Sequence, residues 1–195
     1  MCGITGIFAF NEIGRFFSIN VAKSNATLSK RGPDYANLYA DDRVHLGHSR
    51  LSIIDLDYRA NQPMQDESQR YVIVYNGEIF NYRALRQQLQ AQGVSFFSES
   101  DTEVLLKLYM RYGADCLAQL NGFFAFAIYD RQAQSLFLAR DRFGVKPLLY
   151  YMDEDKFLFA SEMKALLSYG LEKQIDNDSL LFYLQLNYIP APHTI

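Results

Sequence analysis

The chain has 195 residues, of which 49% are hydrophobic, 15% aromatic and 21% charged. These values are typical of a folded globular domain and exclude an intrinsically disordered chain. The formal net charge is −3 and the sequence has no basic run, so neither nucleic acid nor a membrane surface is expected as a partner.

The cysteine content and the N-terminus indicate the compartment. Two cysteines, Cys2 and Cys116, imply no disulfide framework and suit a reducing environment. The N-terminus lacks the basic start of a secretory signal, and no apolar run approaches the ~20 residues of a membrane span. We therefore expect a cytoplasmic protein.

The first predicted element is a buried strand over residues 2–10, headed by Cys2. Removal of Met1 would make Cys2 N-terminal, and a free α-amine with a pKa of ~7.7–8.0 could then accept the thiol proton. Cys2 is therefore a candidate nucleophile that needs no histidine. On this stretch alone, a small apolar residue near a frayed terminus is an equal alternative.

The rest of the chain predicts alternating strands, turns and helices. The first half predicts a loop over 11–20, a short helix over 21–29, a turn over 30–34, a strand over 44–54, a polar turn over 61–69 and a buried strand over 71–75 that ends at Asn76 and Gly77. The second half predicts helices over 82–92 (capped by Asn81), 100–112, 161–169 and 178–188, and strand pairs 123–129 with 135–140 and 148–152 with 157–160.

Several of these strands are apolar on both faces, and amphipathic helices occur in consecutive pairs. Two packed sheets with helices outside them satisfy both observations. We consider the loop over 11–20 as a lid for a substrate site. The break at Pro190 and Pro192, directly after the last helix, suggests a domain edge there.

Seven separated motifs carry further information when they are taken together. They are CGI at 2–4, RGPD at 31–34, RLSIID at 50–55, NGEIFN at 76–81, SDTE at 100–103, RDRFGVKPL at 140–148 and ASEMKA at 160–165. In order and content they resemble the class II glutamine amidotransferase domain of glutamine-hydrolysing asparagine synthetases. The resemblance extends to about Tyr169.

The resemblance implies an α+β fold, a four-layer α/β/β/α sandwich of two antiparallel sheets of the N-terminal nucleophile hydrolase type. It implies a class II glutaminase domain over residues 1–172, with residues 173–195 as a linker and the start of a synthetase domain outside this chain. The implied reaction hydrolyses the side-chain amide of glutamine to glutamate and ammonia through a thioester on Cys2. The ammonia would pass to an ATP-dependent synthetase domain, in cis or in trans.

The resemblance also assigns roles to site residues. Cys2 is the nucleophile, and the Asn76 side chain with the Gly77 N–H stabilises the oxyanion. Arg50 meets the α-carboxylate of the substrate, and Asp101 the α-ammonium. The other substrate-binding residues implied are Leu51, Ser52, Ile53, Ile54 and Glu78. Without the resemblance, Asn-Gly is an ordinary hairpin turn and Asp101 a favourable charge at a helix start.

No cofactor or metal is expected in this domain; ATP and Mg belong to the synthetase domain. His45 and His48, three apart on a strand, face opposite sides and do not predict a metal site. We interpret Arg140, Asp141 and Pro147 as a structural turn. We expect Arg31 and Asp34 to order the loop near the nucleophile.

Three points remain open at the level of sequence. The same fold can serve as a catalytically silent glutamine-binding or interaction module. A glutaminase can also serve a different ammonia acceptor. A homodimer is possible, and the sequence does not select the oligomeric state.

Overall fold

The computed structural model describes residues 1–194 and contains two antiparallel sheets. The first consists of β1 (Gly3–Ala9), β2 (Tyr35–Ala40), β3 (Val44–Arg50), β8 (Leu149–Met152) and β9 (Lys156–Ala160), in the order β2-β3-β1-β9-β8. The second consists of β4 (Met64–Gln65), β5 (Tyr71–Ile79), β6 (Gly122–Asp130) and β7 (Ser135–Arg140), in the order β4-β5-β6-β7. The α-helices are α1 (Glu12–Phe16), α2 (Val21–Thr27), α3 (Tyr82–Ala91), α4 (Asp101–Tyr112), α5 (Met163–Leu167) and α6 (Asn177–Leu186).

The period-2 alternation of the strands builds the layers. Val72 and Val74 pack with Ile4 of β1 between the two sheets. Ile73, between them in the chain, faces outward to the layer of α3 and α4. On the other side, Ile7 packs beneath α5. Each sheet therefore has one face on the other sheet and one face on helices, as predicted for the α/β/β/α sandwich.

Residues 12–20 are helical, so the loop predicted over 11–20 is wrong. The Asn11 side chain caps α1 by accepting the Gly14 N–H at 3.0 Å, and a 3₁₀ turn over Phe17–Asn20 follows. Two such short helices give no periodic apolar stripe that a sequence pattern could reveal. Cys2 lies at one end of β1, and this segment follows the other end of the strand. It therefore cannot act as the lid over a site at Cys2.

The strand predicted to end at Tyr75 continues to Ile79. Gly77 pairs with Phe124 across the β5–β6 ladder, so the hairpin-turn alternative is also wrong. A Cβ at residue 77 would lie 2.5 Å from the Tyr75 ring and 2.6 Å from the Phe123 carbonyl oxygen. Glycine is needed here for close packing, and no turn is present.

The structure also differs from the sequence-based prediction in four smaller details, which concern β2, β3, β4 and Asn81. Neither short strand was predicted, because β2 is largely exposed and β4 has two residues. Asn81 does not cap α3; its side chain bonds the Gln119 carbonyl and the Asn121 N–H instead. β3 ends at Arg50 rather than at residue 54.

The start of α4 is fixed from two directions. Ser100 caps the helix by accepting the Glu103 N–H at 3.2 Å. The buried Glu103 carboxylate accepts the N–H groups of Phe97 and Ser98 at 3.0 and 2.8 Å, and the Ser98 hydroxyl at 2.7 Å. Glu103 therefore ties the loop before α4 to its first turn and holds Asp101 in place.

The last helix, α6, lies outside the hydrophobic core of the described chain. It contributes no residue to the three apolar clusters of the described chain. Leu181, Leu184 and Leu186 are exposed on it. None of the described helices has the length and apolar character needed to cross a membrane.

We expect Glu103→Gln to lower the free energy of unfolding by about 2–4 kcal/mol, because charge-assisted hydrogen bonds inside the protein are lost. Urea denaturation followed by circular dichroism measures this change. Ser100→Ala, which removes only the cap, should cost about 1 kcal/mol. A Glu103→Gln midpoint equal to that of the unmodified chain would contradict this account of the α4 anchor.

Candidate active site

One end of the sandwich holds a small cavity between the two sheets. β1 begins there, β3 ends there, and β5 runs past it. The cavity has a volume of about 80 Å³. It is lined by Met1, Cys2, Arg50, Leu51, Ile53, Ile54, Ala60, Gln62, Tyr75, Asn76, Gly77, Glu78, Ser100, Asp101, Thr102 and Lys146.

The lining contains every site residue predicted from the sequence except Ser52. The Ser52 backbone N–H donates to the Asp34 carboxylate at 2.7 Å, which orders the segment after β3. Residues that are far apart in the chain thus meet at one place. Their assigned roles stay predictions.

Cys2 stands at the start of β1, where the β1–β3 register places it beside Arg50. The Leu51 N–H donates to its Sγ at 3.4 Å, and the Arg31 Nε donates to its carbonyl at 2.8 Å. Burial raises the pKa of the Cys2 thiol, while the Leu51 N–H, the terminal amine and Arg50 act in the opposite direction. The thiolate therefore depends on nearby donors for its stability.

Two hydrogen-bond donors face the cavity from β5. Asn76 is 1% exposed, and its Nδ2 has no partner among the described residues. Alternate N–H groups of a strand point to the same edge. The Tyr75 and Ile79 N–H groups bond to the side chains of Gln62 and Asp101 at the edge away from β6. The Gly77 N–H lies between them on that edge, next to the Asn76 side chain.

Arg50 is buried, and carboxylates do not supply its partners. Its guanidinium donates to the backbone carbonyls of Ile54, Asp55 and Asp57 and to the Asn61 side chain at 2.6 Å. These bonds fix the plane of the group without neutralising its charge. A cation held this way keeps its full charge and can attract a ligand carboxylate.

Asp101 supplies the opposite charge. Its Oδ2 accepts the Tyr75 hydroxyl at 2.7 Å and the Ile79 N–H at 3.1 Å. Burial raises the pKa of Asp101, and these hydrogen bonds lower it. No lysine or arginine forms a salt bridge with it in the described part of the chain, so its charge is available for a cationic ligand group.

Sequence reasoning missed Gln62, Tyr75, Thr102 and Lys146 as cavity residues. Tyr75 lies in a run of apolar residues and looks like a core residue. Gln62 lies in a segment interpreted only as a turn. Its Nε2 donates to the Thr102 hydroxyl at 3.1 Å. A buried polar residue within a polar loop gives no periodic signal, so only the structure reveals it.

The flanking motifs support the site from outside. Arg31 pairs with Glu162 at 3.0 Å, and Asp141 accepts the N–H groups of Val145 and Lys146. Arg140 donates to the Lys146 carbonyl at 2.7 Å. These contacts are those of ordered loops and agree with the structural interpretation of both motifs.

His48 is buried, and burial lowers its pKa to about 3, so it is neutral. Its Nε2 lies 3.1 Å from the Tyr75 carbonyl oxygen. Since a carbonyl only accepts, that nitrogen carries the hydrogen. No group of three or more His, Cys, Asp or Glu side chains suited to a metal ion occurs within residues 1–194.

Comparisons with known proteins agree with this arrangement. Residues 1–195 match the glutamine amidotransferase domain family. Asparagine synthetase (glutamine-hydrolysing) 1 of Bacillus subtilis is 38% identical over 197 residues, which are 100% of this chain and 31% of the relative. Asparagine synthetase (glutamine-hydrolysing) 3 of the same organism is 42% identical over 183 residues, 92% of this chain and 30% of the relative. The chain therefore spans about a third of the length of these relatives.

A solved structure is also similar. The glutamine phosphoribosylpyrophosphate amidotransferase of Bacillus subtilis, complexed with ADP and GMP, superposes with a TM-score of 0.71 at 26% identity. The match covers 87% of this chain and 44% of the other. It confirms the predicted sandwich of the N-terminal nucleophile hydrolase type.

The two cysteines should differ in reactivity. Burial raises the pKa of Cys116 to about 11, and its side chain is fully buried, whereas Cys2 is partly exposed. In the chain that retains Met1, we expect iodoacetamide at pH 8 to modify Cys2 at least about tenfold faster than Cys116. Peptide mass spectrometry measures both rates.

Because the Cys2 pKa is raised, its alkylation rate should increase with pH through a midpoint above that of an exposed cysteine thiol. Cys2→Ala is the control for the assignment of the labelled peptide. Faster modification of Cys116, or a Cys2 midpoint below the ordinary thiol value, would show that this description of the site is wrong.

Proposed function

The chain belongs to the glutamine amidotransferase domain family, and we propose that it hydrolyses the side-chain amide of glutamine to glutamate and ammonia at Cys2. The observation that carries this proposal is the pair of donors beside the thiol. Asn76 Nδ2, which is buried and has no partner within residues 1–194, and the Gly77 N–H on the open edge of β5 form a ready site for an oxyanion.

In the proposed reaction, Met1 is first removed so that the α-amine belongs to Cys2. The amine takes the thiol proton, and the thiolate attacks the amide carbon of glutamine. The amide oxygen becomes an oxyanion held by Asn76 and Gly77. The C–N bond then breaks, the nitrogen receives the proton from the amine, and ammonia leaves a γ-glutamyl thioester on Sγ.

Water completes the cycle. The α-amine takes a proton from a water molecule as its oxygen attacks the thioester carbon, and the same two donors hold the second oxyanion. The C–S bond breaks, the sulfur recovers its proton, and glutamate leaves. The proposal thus uses one nucleophile, one base and one oxyanion site for both halves of the reaction.

Substrate binding follows from two charges of opposite sign. Arg50 binds the α-carboxylate and Asp101 the α-ammonium, with Glu78, Leu51, Ile53 and Ile54 lining the same cavity. The distance from these anchors to Sγ then selects the length of the side chain. Glutamine places its amide at the sulfur, and asparagine, shorter by one methylene, does not.

We further propose that the ammonia serves an ATP-dependent synthetase partner, in the same polypeptide or a separate one. The asparagine synthetases named above support this, since the chain spans only about a third of their length. ATP and Mg²⁺ would be bound by that partner. The proposal includes a cytoplasmic location and is compatible with a homodimer.

The domain organisation belongs to the same proposal. Residues 1–172 would form the glutaminase domain, and residues 173–195 would form a linker and the start of the synthetase domain. The exposed leucines of α6, which pack on none of the three apolar clusters, support this division. A helix with an exposed apolar face is typical of a surface that another domain covers.

The test of the glutaminase is direct. With Met1 removed, the chain should release ammonia from glutamine, and an electrophilic glutamine analogue should form an adduct on a peptide that begins at Cys2. Glutamine should compete with the adduct, and Cys2→Ala should abolish both signals. N-terminal mass spectrometry and an ammonia assay measure them.

Asn76→Ala is the matched variant for the oxyanion site, and kcat should fall by about 10²–10³ while the adduct site stays Cys2. If Cys2 is N-terminal and remains unmodified at saturating analogue, the catalytic proposal fails. The fold would then be a glutamine-binding or interaction module.

The domain division predicts the effect of a truncation after Glu172. The shortened chain should keep its denaturation midpoint, and kcat/KM for glutamine should change by less than about twofold, because α6 adds no core packing. Urea denaturation and the ammonia assay measure this. Unfolding of the truncated chain would place α6 within the glutaminase domain and refute the division.

A further inference from the structure

Tyr75 connects the strand of the oxyanion site to the carboxylate that faces the substrate. It immediately precedes Asn76 on β5, and its side chain lies on the outer face of the sheet, toward α4. The ring extends over Gly77, where even a methyl group would clash with it. The hydroxyl then reaches the Asp101 Oδ2 at 2.7 Å.

The backbone of Tyr75 is itself held on the open edge of β5. Its N–H donates to the Gln62 Oε1 at 2.6 Å, and its carbonyl accepts from the His48 Nε2 at 3.1 Å. The Gln62 Nε2 continues to the Thr102 hydroxyl, next to Asp101 on α4. A closed loop of hydrogen bonds therefore joins β5 to the first turn of α4 beside the cavity.

This loop determines which carboxylate oxygen remains for a ligand. The Tyr75 hydroxyl and the Ile79 N–H both meet Oδ2. The other carboxylate oxygen, Oδ1, receives neither of these two bonds, and Asp101 lines the cavity. A hydrogen bond from a phenol also favours the ionised carboxylate over the neutral acid.

We propose that Tyr75 is a positioning residue that orients the Asp101 carboxylate and thereby makes the site selective for ligands with a free α-ammonium group. The inference rests on the proposed function and adds a residue that determines its specificity. Tyr75 touches no reacting atom. It acts only through Asp101, so its removal should weaken the recognition of the ammonium and leave the other anchors intact.

The test compares two inhibitors that differ only in the ammonium group, glutamate and glutarate, on the chain with Met1 removed. In Tyr75→Phe, the inhibition constant of glutamate and the KM for glutamine should each rise about tenfold, as for a lost hydrogen bond to a charged group. The inhibition constant of glutarate and kcat should each change by less than about twofold. This split distinguishes positioning from a general loss of structure.

The matched control is Tyr129→Phe. Tyr129 is fully buried in the same sheet, and within residues 1–194 its hydroxyl has no hydrogen-bond partner. All four constants should stay as in the unmodified chain. Equal weakening of glutamate and glutarate in Tyr75→Phe, or no weakening of either, would overturn the inference.

Two further measurements keep the inference testable. In an Asp101→Asn background, Tyr75→Phe should cause no additional loss of glutamate binding, because the oriented charge is already absent. If Tyr75→Phe does not fold, a ring-fluorinated tyrosine at residue 75 keeps the hydroxyl and makes it a stronger donor. It should lower the inhibition constant of glutamate and leave that of glutarate unchanged; no change for glutamate would refute the inference.

Failure of this inference differs from failure of the proposed function. If the glutaminase proposal is wrong, the unmodified chain with Met1 removed releases no ammonia from glutamine. If only the role of Tyr75 is wrong, the unmodified chain is active, and Tyr75→Phe fails to separate glutamate from glutarate.

Discussion

The open edge of β5 is the constraint on which the site depends. Its neighbour β4 has only two residues, so from Val74 onward no strand of the described chain pairs with that edge of β5. Buried backbone N–H groups need partners, and here side chains supply them. The Gln62 side chain accepts a hydrogen bond from the Tyr75 N–H, and the Asp101 side chain accepts one from the Ile79 N–H. The Gly77 N–H between them is left for a ligand. The shortness of β4 thus leaves part of a sheet edge to line the cavity.

Much of the fold could be predicted from sequence because burial on both faces leaves a strong signal. The sequences of β5 and β6 are apolar on both faces. One face of each strand packs on the other sheet, and the opposite face packs on helices. α1 and β2 escaped prediction for physical reasons. α1 is a single capped turn, and β2 is mostly exposed, so neither imposes a period on its sequence.

The site could be predicted only through motifs taken together. Alone, Asn76-Gly77 suggested a hairpin turn, and Asp101 suggested a helix-start charge. The structure gives both a different context, because β5 continues through the pair and Asp101 bonds back to that strand. Tyr75 could not be found this way. Its ring is part of the apolar core, and its polar contribution is a single hydroxyl.

The charges of the site explain why these residues suit the zwitterion of the proposed function. Arg50 is surrounded by carbonyls and Asp101 by a phenol and an N–H, and neither has an ion-pair partner within residues 1–194. Two buried charges without counter-ions cost stability, since each has lost water and gained only dipoles. An amino acid supplies the missing carboxylate and ammonium at the same time, so its binding compensates both. The fold tolerates the burial of these two charges because Glu103 and the β5–β6 ladder hold the surrounding backbone.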